Sequence, residues 1–335
     1  MSVVAQVGCG YWGPNLLRVF RELPGSRLKW LCDKKPGRLE WARERFPGLS
    51  LTAELDAVLR DPEVDAVVVA TEVVTHHAIA KAALKAGKHV FVEKPLAHST
   101  KEASDLAATA KKLKRVLGVG HVFLYHPAYR ALKVRVGPQG LGRLLAVDLQ
   151  RVNPGPPEPR HDVLWDMAPH DAAMALDLAG AAPLSVRCTG VRRSLKLDEA
   201  AFVELKFPKG VLARIHVSWL SSQRVRRVEA YCEKGTLFFD DAAPTEKLKV
   251  VHPGADTRVG AAAGSTVTLA YGPGRVEVPE LQKDEPLRVE CADFLDAVRE
   301  GRSPRSGAAL GVAVVRVLEA AARSSKAGGK EIELK

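Results

Sequence analysis

Short β-branched runs alternate with amphipathic stretches between Met1 and about His121. This rhythm is typical of parallel strands that are joined by helices. The predicted strands are Val3–Val7, Leu28–Cys32, Ala66–Ala70, His89–Val92 and Val116–Gly120. The predicted helices are Pro14–Glu22, Arg38–Arg45, Leu55–Leu59, His77–Ala86 and Lys101–Lys112. Residues 1–121 are therefore predicted to form a doubly wound α/β domain.

A different pattern follows over residues 122–335, where longer strands alternate between apolar and polar positions. Such alternation predicts an open, mainly antiparallel sheet with one covered face. The predicted strands are Leu144–Arg151, Ala201–Phe207, Val211–Trp219, Val225–Tyr231 and Thr236–Phe239. The predicted helices are Ala128–Val136, Met167–Leu178, Glu290–Glu300 and Ala308–Arg323. The Gly/Pro-rich stretch 254–274 is predicted to be a surface excursion.

Composition supports two packed domains. A chain of 335 residues is too long for one ordinary hydrophobic core, and at 46% hydrophobic residues it is apolar enough to bury two. Without a leader-like start or a membrane-length apolar run, we expect a cytoplasmic protein. The five cysteines are widely spaced, so neither a disulfide framework nor a metal site is expected. The net charge of +11 is spread along the chain and accompanies no nucleic-acid module. An anionic cofactor or substrate is the preferred explanation of that charge.

A glycine motif lies directly after the first predicted strand. Gly8, Gly10 and Gly13 form G-x-G-x-x-G, and Pro14 stands where a helix begins. In this context the glycines allow a tight turn that presents a helix N-terminus to a dinucleotide pyrophosphate. Asp33 ends the next strand and can accept the ribose hydroxyls, which favours NAD. Basic residues that can instead hold the 2′-phosphate of NADP follow it, namely Lys34, Lys35 and Arg38.

Two further constellations carry candidate chemistry. Glu93-Lys94-Pro95 closes a strand at the ligand-binding edge of the sheet, where Lys94 can donate to a reacting oxygen. Asp166 fits a helix N-cap and His170 lies one turn later. A histidine near a helix N-terminus is held neutral by the helix dipole and can act as a base. Taken alone, these residues are better explained as a solvated strand end, a capping aspartate and a core histidine.

Several motifs together resemble the Gfo/Idh/MocA family of oxidoreductases. They are the glycine turn, Ala70-Thr71 with Thr75-His76, Ala86 to Pro95 (AGKHVFVEKP), Gly120-His121 with His126-Pro127-Ala128, and Asp166 with His170. The resemblance spans Val3 to about Gly180 and the closing helices. It implies a Rossmann domain followed by a substrate-binding domain whose open sheet commonly forms a homodimer or homotetramer. Glu72 departs from the proline that many relatives carry, which puts the local cofactor contact in doubt.

The resemblance also implies roles for individual residues. Lys94 matches the active-site lysine, His170 the catalytic histidine, and Asp166 a residue that orients histidine or substrate. Relatives differ over which side chain takes the proton, and we assign His170 as base and Lys94 as donor. The candidate cofactor-binding residues are Gly8, Gly10, Tyr11, Trp12, Gly13, Asp33, Lys34, Arg38, Thr71, His76 and Glu93. The candidate contacts to an anionic substrate are Tyr125, Arg151, Asn153 and Arg160.

The expected function is hydride transfer between a sugar secondary alcohol and NAD(P). The Gly-Tyr-Trp-Gly-Pro-Asn opening (10–15) and Trp-Asp-x-Ala-Pro-His-Asp (165–171) resemble the branch that acts on nucleotide-linked amino sugars or uronic acids, often at the 3-hydroxyl. Two alternatives remain open. One is a glycosidase that retains NAD on the same fold, and the other is a non-catalytic regulator that responds to NAD.

Overall fold

The computed structural model describes residues 1–155, 161–193, 196–254, 259–262, 266–269 and 274–334. The chain divides into two compact units, and each unit contains two segments of the chain. The first unit is Met1–His126 with Asp284–Glu319, and the second is Pro127–Lys283 with Ala320–Lys335. This differs from the two-segment division predicted from the sequence, because residues 284–319 pack with the first unit.

A six-stranded sheet organises the first unit, and every strand pair in it is parallel. The strands are β1 Ser2–Val7, β2 Ser26–Cys32, β3 Ser50–Thr52, β4 Ala66–Val69, β5 His89–Glu93 and β6 Leu117–Gly120. Their order is β3-β2-β1-β4-β5-β6, which reverses direction between β1 and β4. Both central strands are buried over their whole length, as expected for strands covered on two faces. In open α/β sheets, ligands bind at this reversal.

Helices cover the sheet of the first unit. They are α1 Gly13–Glu22, α2 Pro36–Arg45, α3 Leu55–Arg60, α4 Val73–Lys85, α5 Thr100–Lys112 and α8 Pro286–Glu300, with a 3-10 turn at Val122–Tyr125. One apolar cluster joins α1 and α8 to the sheet through Phe20, Phe91 and Phe294. Their rings pack edge to face, with centroids 6.4 and 5.5 Å apart. The late helix α8 thus completes the core of the unit that the first 126 residues begin.

A nine-stranded sheet forms the second unit. Its strands are β7 Leu144–Pro154, β8 Ser185–Val191, β9 Ala200–Lys206, β10 Leu212–Ser218, β11 Leu220–Cys232, β12 Gly235–Asp240, β13 Leu248–Val251, β16 Val276–Glu277 and β17 Ile332–Glu333. The order is β16-β13-β12-β11-β7-β10-β9-β8-β17. Only the β7–β10 pair is parallel among the pairs described. The predicted mainly antiparallel open sheet is therefore confirmed.

Two helices of the second unit are α6 Pro127–Arg135 and α7 Val163–Ala179. The last helix, α9 Ala308–Lys326, begins in the first unit and ends in the second. Of the predicted excursion 254–274, most residues lie outside the described ranges. Within it, β14 Val259–Ala262 and β15 Thr266–Leu269 pair as an antiparallel ribbon. In the described part of the chain, no helix combines the length and apolar character needed to cross a membrane.

Most predicted elements agree with the structure to within a few residues, but several strands, among them β3, β8 and β13, were not predicted, and α4, α7 and α8 each begin four residues earlier than predicted. The short strand β3 was not predicted, because its three half-buried residues are too few to show a period. Helix α7 begins at Val163, four residues earlier than predicted from Met167. Because of this earlier start, the candidate base His170 lies farther from the helix N-terminus than predicted.

Candidate active site

The turn after β1 brings the backbone against the end of β4. Gly8 has φ +95°, and a Cβ atom at that position would lie 2.6 Å from the carbonyl oxygen of Ala70. A Cβ on Gly13 would lie 3.0 Å from the carbonyl oxygen of Gly8. Glycine is therefore required at Gly8, by backbone conformation and close packing, and is favoured at Gly13 by close packing. The turn forms a cradle at the N-terminus of α1 that fits a pyrophosphate.

Asp33 lies beside this cradle at the end of β2, and its side chain is buried. Its Oδ2 accepts a hydrogen bond from the Cys9 backbone N–H at 2.7 Å, and its Oδ1 accepts one from the Lys35 N–H at 2.8 Å. Arg38 Nη1 lies 3.4 Å from Oδ2. The carboxylate is thus held in place at the end of β2, and its predicted contact with the ribose hydroxyls of a dinucleotide stays a prediction. The side chains of Tyr11, Trp12 and Lys34 are exposed beside it.

The charge of the Lys94 ammonium acts on three side chains around it. It lowers the pKa of His76 and of His121, and it opposes the rise in the pKa of Glu93. Burial is the larger cause in each case: it lowers the pKa of His121 to about 3 and raises that of Glu93 to about 7. Both imidazoles are consequently neutral near pH 7. Lys94 therefore stands at the strand end beside the carboxyl group of Glu93, which can balance its charge.

His76 connects the two loops that follow β4 and β5. Its Nδ1 lies 2.9 Å from the carbonyl oxygen of Pro95, and its Nε2 lies 3.1 Å from that of Thr71. Burial lowers the pKa of His76, so the ring is neutral and can donate to only one of the two carbonyls at a time. The predicted role of His76 and Thr71 in lining the cofactor stays a prediction, and the structure adds that His76 anchors the segment after Lys94.

Helix α7 carries the candidate base of the second unit. Its N-cap is Asp162, whose side chain accepts a hydrogen bond from the Trp165 N–H at 3.1 Å. The prediction that Asp166 caps the helix is therefore wrong, because α7 starts one turn earlier. Pro169 lies inside the helix, and His170 is two turns from its start. The helix dipole acts mainly on the first turn, so it no longer accounts for a neutral His170.

Asp166 and His170 nevertheless share one face of α7. From Val163 to Leu176 every residue is buried except these two, which are half-buried. Their four-residue spacing places both side chains on the same stripe of the helix. Trp219 donates a hydrogen bond from its indole Nε1 to Asp166 Oδ2 at 3.3 Å. The pair is thus a polar, accessible stripe on an apolar helix.

Arg151 fixes α7 against β7. Its guanidinium makes two hydrogen bonds to the Asp171 carboxylate, at 2.8 and 3.2 Å, and only 4% and 1% of the two side chains is exposed. A paired and buried arginine is poorly placed to bind substrate, so the structure does not support that prediction for Arg151. It acts instead on the residue next to His170, and removing either partner of such a pair costs about 3–5 kcal/mol.

The other predicted substrate contacts have mixed outcomes. Tyr125 is buried, donates to Asp293 Oδ2 at 2.8 Å and accepts from the Ser306 N–H at 3.1 Å. The structure therefore places Tyr125 in the interior of the first unit, which does not support a substrate contact. Asn153 is half-buried and donates to the carbonyl oxygen of Pro154 at 2.7 Å. Arg160 lies outside the described residues.

Sequence reasoning missed three residues of these surroundings. Asp162 could have been found, because it directly precedes the apolar run at 163–165. Trp219 and the buried Glu290 are brought in by tertiary contacts that no local pattern shows. Within the described ranges, no group of three or more His, Cys, Asp or Glu side chains could hold a metal ion.

The glycine cradle, the fixed Asp33 and the strand order of the first unit together define an NAD-binding Rossmann oxidoreductase. Two family models agree with this class. The oxidoreductase family model with an NAD-binding Rossmann fold matches residues 3–121, and the Gfo/Idh/MocA C-terminal domain model matches residues 129–238. The chain belongs to the Gfo/Idh/MocA family, which confirms the predicted family, fold and NAD-dependent dehydrogenase class.

Three relatives show which branch the chain is similar to. UDP-N-acetylglucosamine 3-dehydrogenase from Acidithiobacillus ferrooxidans is 32% identical over 80% of this chain and 79% of its own length. A crystal form of that enzyme superposes with a TM-score of 0.85, covering 97% of this chain and 98% of that one at 26% identity. GenD2 from gentamicin A biosynthesis, in complex with NAD, has a TM-score of 0.82 at 28% identity, covering 100% and 96%. An inositol dehydrogenase from Lactiplantibacillus plantarum is 35% identical over 47% of this chain and 46% of its own length.

Proposed function

We propose that this protein oxidises the 3-hydroxyl of a nucleotide-linked amino sugar or its uronic acid, with NAD as hydride acceptor. The observation that carries the proposal is the accessible Asp166 and His170 pair on the otherwise buried helix α7. The similarity to UDP-N-acetylglucosamine 3-dehydrogenase over four-fifths of the chain supports the substrate class. The five cysteines are buried and unpaired, which suits the reducing cytoplasm that we propose as its location.

Each functional group of this chain has a separate role in the proposed reaction. Bound NAD supplies the hydride acceptor, held by the glycine cradle and by Asp33. His170 takes the hydroxyl proton as the C–H electron pair leaves the same carbon and the C=O bond forms. Lys94 donates a hydrogen bond to the oxygen and stabilises its developing negative charge. Asp166, fixed by Trp219, orients the substrate or the histidine.

Alanine variants of Lys94 and His170 test these roles. We expect each to lower kcat about a hundredfold or more, while the Kd for NADH stays within about threefold of wild type. Lys101→Ala and His98→Ala are matched controls, because both side chains are exposed and lie outside the proposed machinery. Turnover is followed as NADH formation with UDP-N-acetylglucosamine, its uronic acid and myo-inositol.

The outcomes separate the site from the substrate. Near-normal rates in both variants would remove the proposed site. Turnover of inositol but of neither nucleotide sugar would contradict the proposed substrate class and leave the site intact. Release of free sugar without net NADH formation would identify an NAD-retaining glycosidase instead.

We further propose that the open sheet of the second unit binds a second copy of the chain. Alternate residues of β9 and β10 are buried on one face, where α7 packs, and are half-exposed or exposed on the other. On that outer face, the Phe202 ring is 49% exposed and stacks on His216 with centroids 4.4 Å apart. An exposed aromatic stack amid paired charges is typical of an interface between protein chains.

A further inference from the structure

Glu290 on α8 is a buried carboxyl group that receives no hydrogen bond from the described residues. Only 1% of the residue is exposed, and no donor of the described residues reaches either side-chain oxygen. An ionised carboxylate in such a place loses its hydration and gains nothing in return. The carboxyl group of Glu290 must therefore be protonated, unless a neighbouring group stabilises its charge.

The packing of α8 indicates which group lies next to Glu290. The Phe294 ring lies against Phe91 of β5 and 3.0 Å from the point where a Cβ of Gly118 would stand. Glu290 precedes Phe294 by one helical turn and so lies on the same helix face. Glu93 follows Phe91 by two residues and so projects from the same face of the sheet. Consistent with this placement, the negative charge of Glu93 raises the pKa of Glu290, after burial itself.

Glu93 lies flat over the neighbouring strand because that strand has no side chain there. A Cβ atom on Gly120 would stand 2.8 Å from Glu93 Oε2. The same oxygen accepts the Lys94 backbone N–H at 3.2 Å, and the Trp12 side chain also hydrogen-bonds the carboxylate. These contacts connect Glu93 to the candidate lysine on one side and to the cofactor cradle on the other.

Two of the other titratable groups near Glu290, Asp293 and Tyr125, are hydrogen-bonded to each other. Asp293 accepts the Tyr125 hydroxyl at 2.8 Å and forms an ion pair with Arg302 at 2.8 Å. Burial and the neighbouring carboxylates raise the pKa of Tyr125, which keeps the phenol neutral. His121 is neutral, its Nδ1 lies 2.9 Å from Ser306 Oγ, and its Nε2 has no hydrogen-bond partner among the described residues. Of the two acceptors, His121 Nε2 and Glu93, the carboxylate of Glu93 is the one that lies on the sheet face covered by α8 and whose charge acts on Glu290. A proton on Glu290 is therefore placed to point toward Glu93.

We propose that Glu290 is a positioning residue: a neutral carboxylic acid whose O–H donates to Glu93 and keeps Glu93 ionised beside Lys94. Two carboxyl groups in one dry site share a single proton, because both cannot ionise together. The shared proton leaves one negative charge to balance the ammonium of Lys94. This inference rests on the proposed function of Lys94 for its kinetic consequence, although the protonation of Glu290 does not.

Two variants of similar volume separate this role from simple packing. Glu290→Gln keeps an N–H donor toward Glu93, whereas Glu290→Leu removes every donor. In the leucine variant Glu93 loses a hydrogen bond to its charged form, so its pKa rises and the ionised form is reached only at higher pH. We expect the acid limb of the kcat profile to move up by about one pH unit and kcat at pH 7 to fall about fivefold, because the pKa of Glu93 is about 7 in the wild-type protein. The glutamine variant should keep the wild-type limb and a kcat within about threefold.

If Glu290 had only a structural role, its replacement would lower activity only together with stability. The proposal predicts a different result. An apolar side chain suits an apolar site, so Glu290→Leu should melt no lower than wild type. Its loss of activity would then have no explanation in stability. A wild-type acid limb in the leucine variant, or a glutamine variant as impaired as the leucine one, would overturn the proposal.

Infrared spectroscopy tests the protonation of Glu290 without any substrate. With carboxyl-labelled glutamate, the wild-type protein at pH 7 should show a protonated C=O band that is missing in Glu290→Gln. Identical spectra would overturn the proposal even if the enzyme is active. If no sugar is oxidised by any of the proteins, the proposed function fails, while the infrared result still decides the state of Glu290.

Discussion

Both carboxylate oxygens of Asp33 accept hydrogen bonds from backbone amides of the protein. The Cys9 and Lys35 amides fix it, and Arg38 at 3.4 Å balances part of its charge. A fixed negative charge at the ribose position repels a 2′-phosphate, which favours NAD. The same Arg38, together with the exposed Lys34, can stabilise a 2′-phosphate once that charge is removed.

Replacing Asp33 with asparagine tests this balance, because the change removes the charge and keeps the shape. Removing one unfavourable charge contact near the surface is worth about 1.4 kcal/mol, or tenfold in Kd. We therefore expect Asp33→Asn to bind NADP about tenfold more tightly and NAD more weakly, as measured by calorimetry. In the double variant with Arg38→Ala, the gain for NADP should disappear. An unchanged ratio of the two dissociation constants would show that Asp33 does not choose the cofactor.

At the scale of elements, the sequence predicts what local patterns encode. The parallel strands and the glycine turn at Gly8 were predictable, because buried apolar runs and G-x-G-x-x-G are visible in the residues alone. The start of α7 was misplaced, because Asp162 and Asp166 are both capping residues four positions apart and only the fold selects one. The neighbours of Glu290 could not be predicted, because α8 reaches β5 from about 200 residues away in the chain.

The competing caps of α7 can be compared directly. Asp162→Ala removes the acceptor of the Trp165 N–H, and losing an N-cap costs about 1 kcal/mol of unfolding free energy. Asp166→Asn keeps an acceptor for Trp219 and touches no cap, so its cost should stay below about 0.5 kcal/mol. Calorimetry of the second unit's unfolding transition measures both. A larger loss of unfolding free energy in Asp166→Asn than in Asp162→Ala would contradict Asp162 as the N-cap and favour Asp166.

At the scale of the whole molecule, the outer face of the second unit's sheet carries positive and negative side chains, some of which form ion pairs with each other. On that face Arg214 forms an ion pair with Asp148 at 2.5 Å, and Arg227 pairs with Asp240 at 2.7 Å. Such internal pairing leaves little net charge to repel an identical face. A two-fold interface places the same patch on both copies, so self-complementarity of this kind is what a homodimer requires.

A single substitution at the exposed aromatic stack tests the assembly. Phe202→Glu would bury an unpaired charge, once in each copy, and should weaken association at least about a hundredfold. Sedimentation velocity should then show a monomer at concentrations where the proposed assembly predicts a dimer or tetramer for the wild-type chain. Val74→Glu is the matched control, because this valine is 62% exposed on α4 and lies outside the sheet. Because Phe202 lies on the face opposite α7, melting of the second unit should change little. A Phe202→Glu protein that keeps the wild-type mass would mean that the copies meet on some other surface.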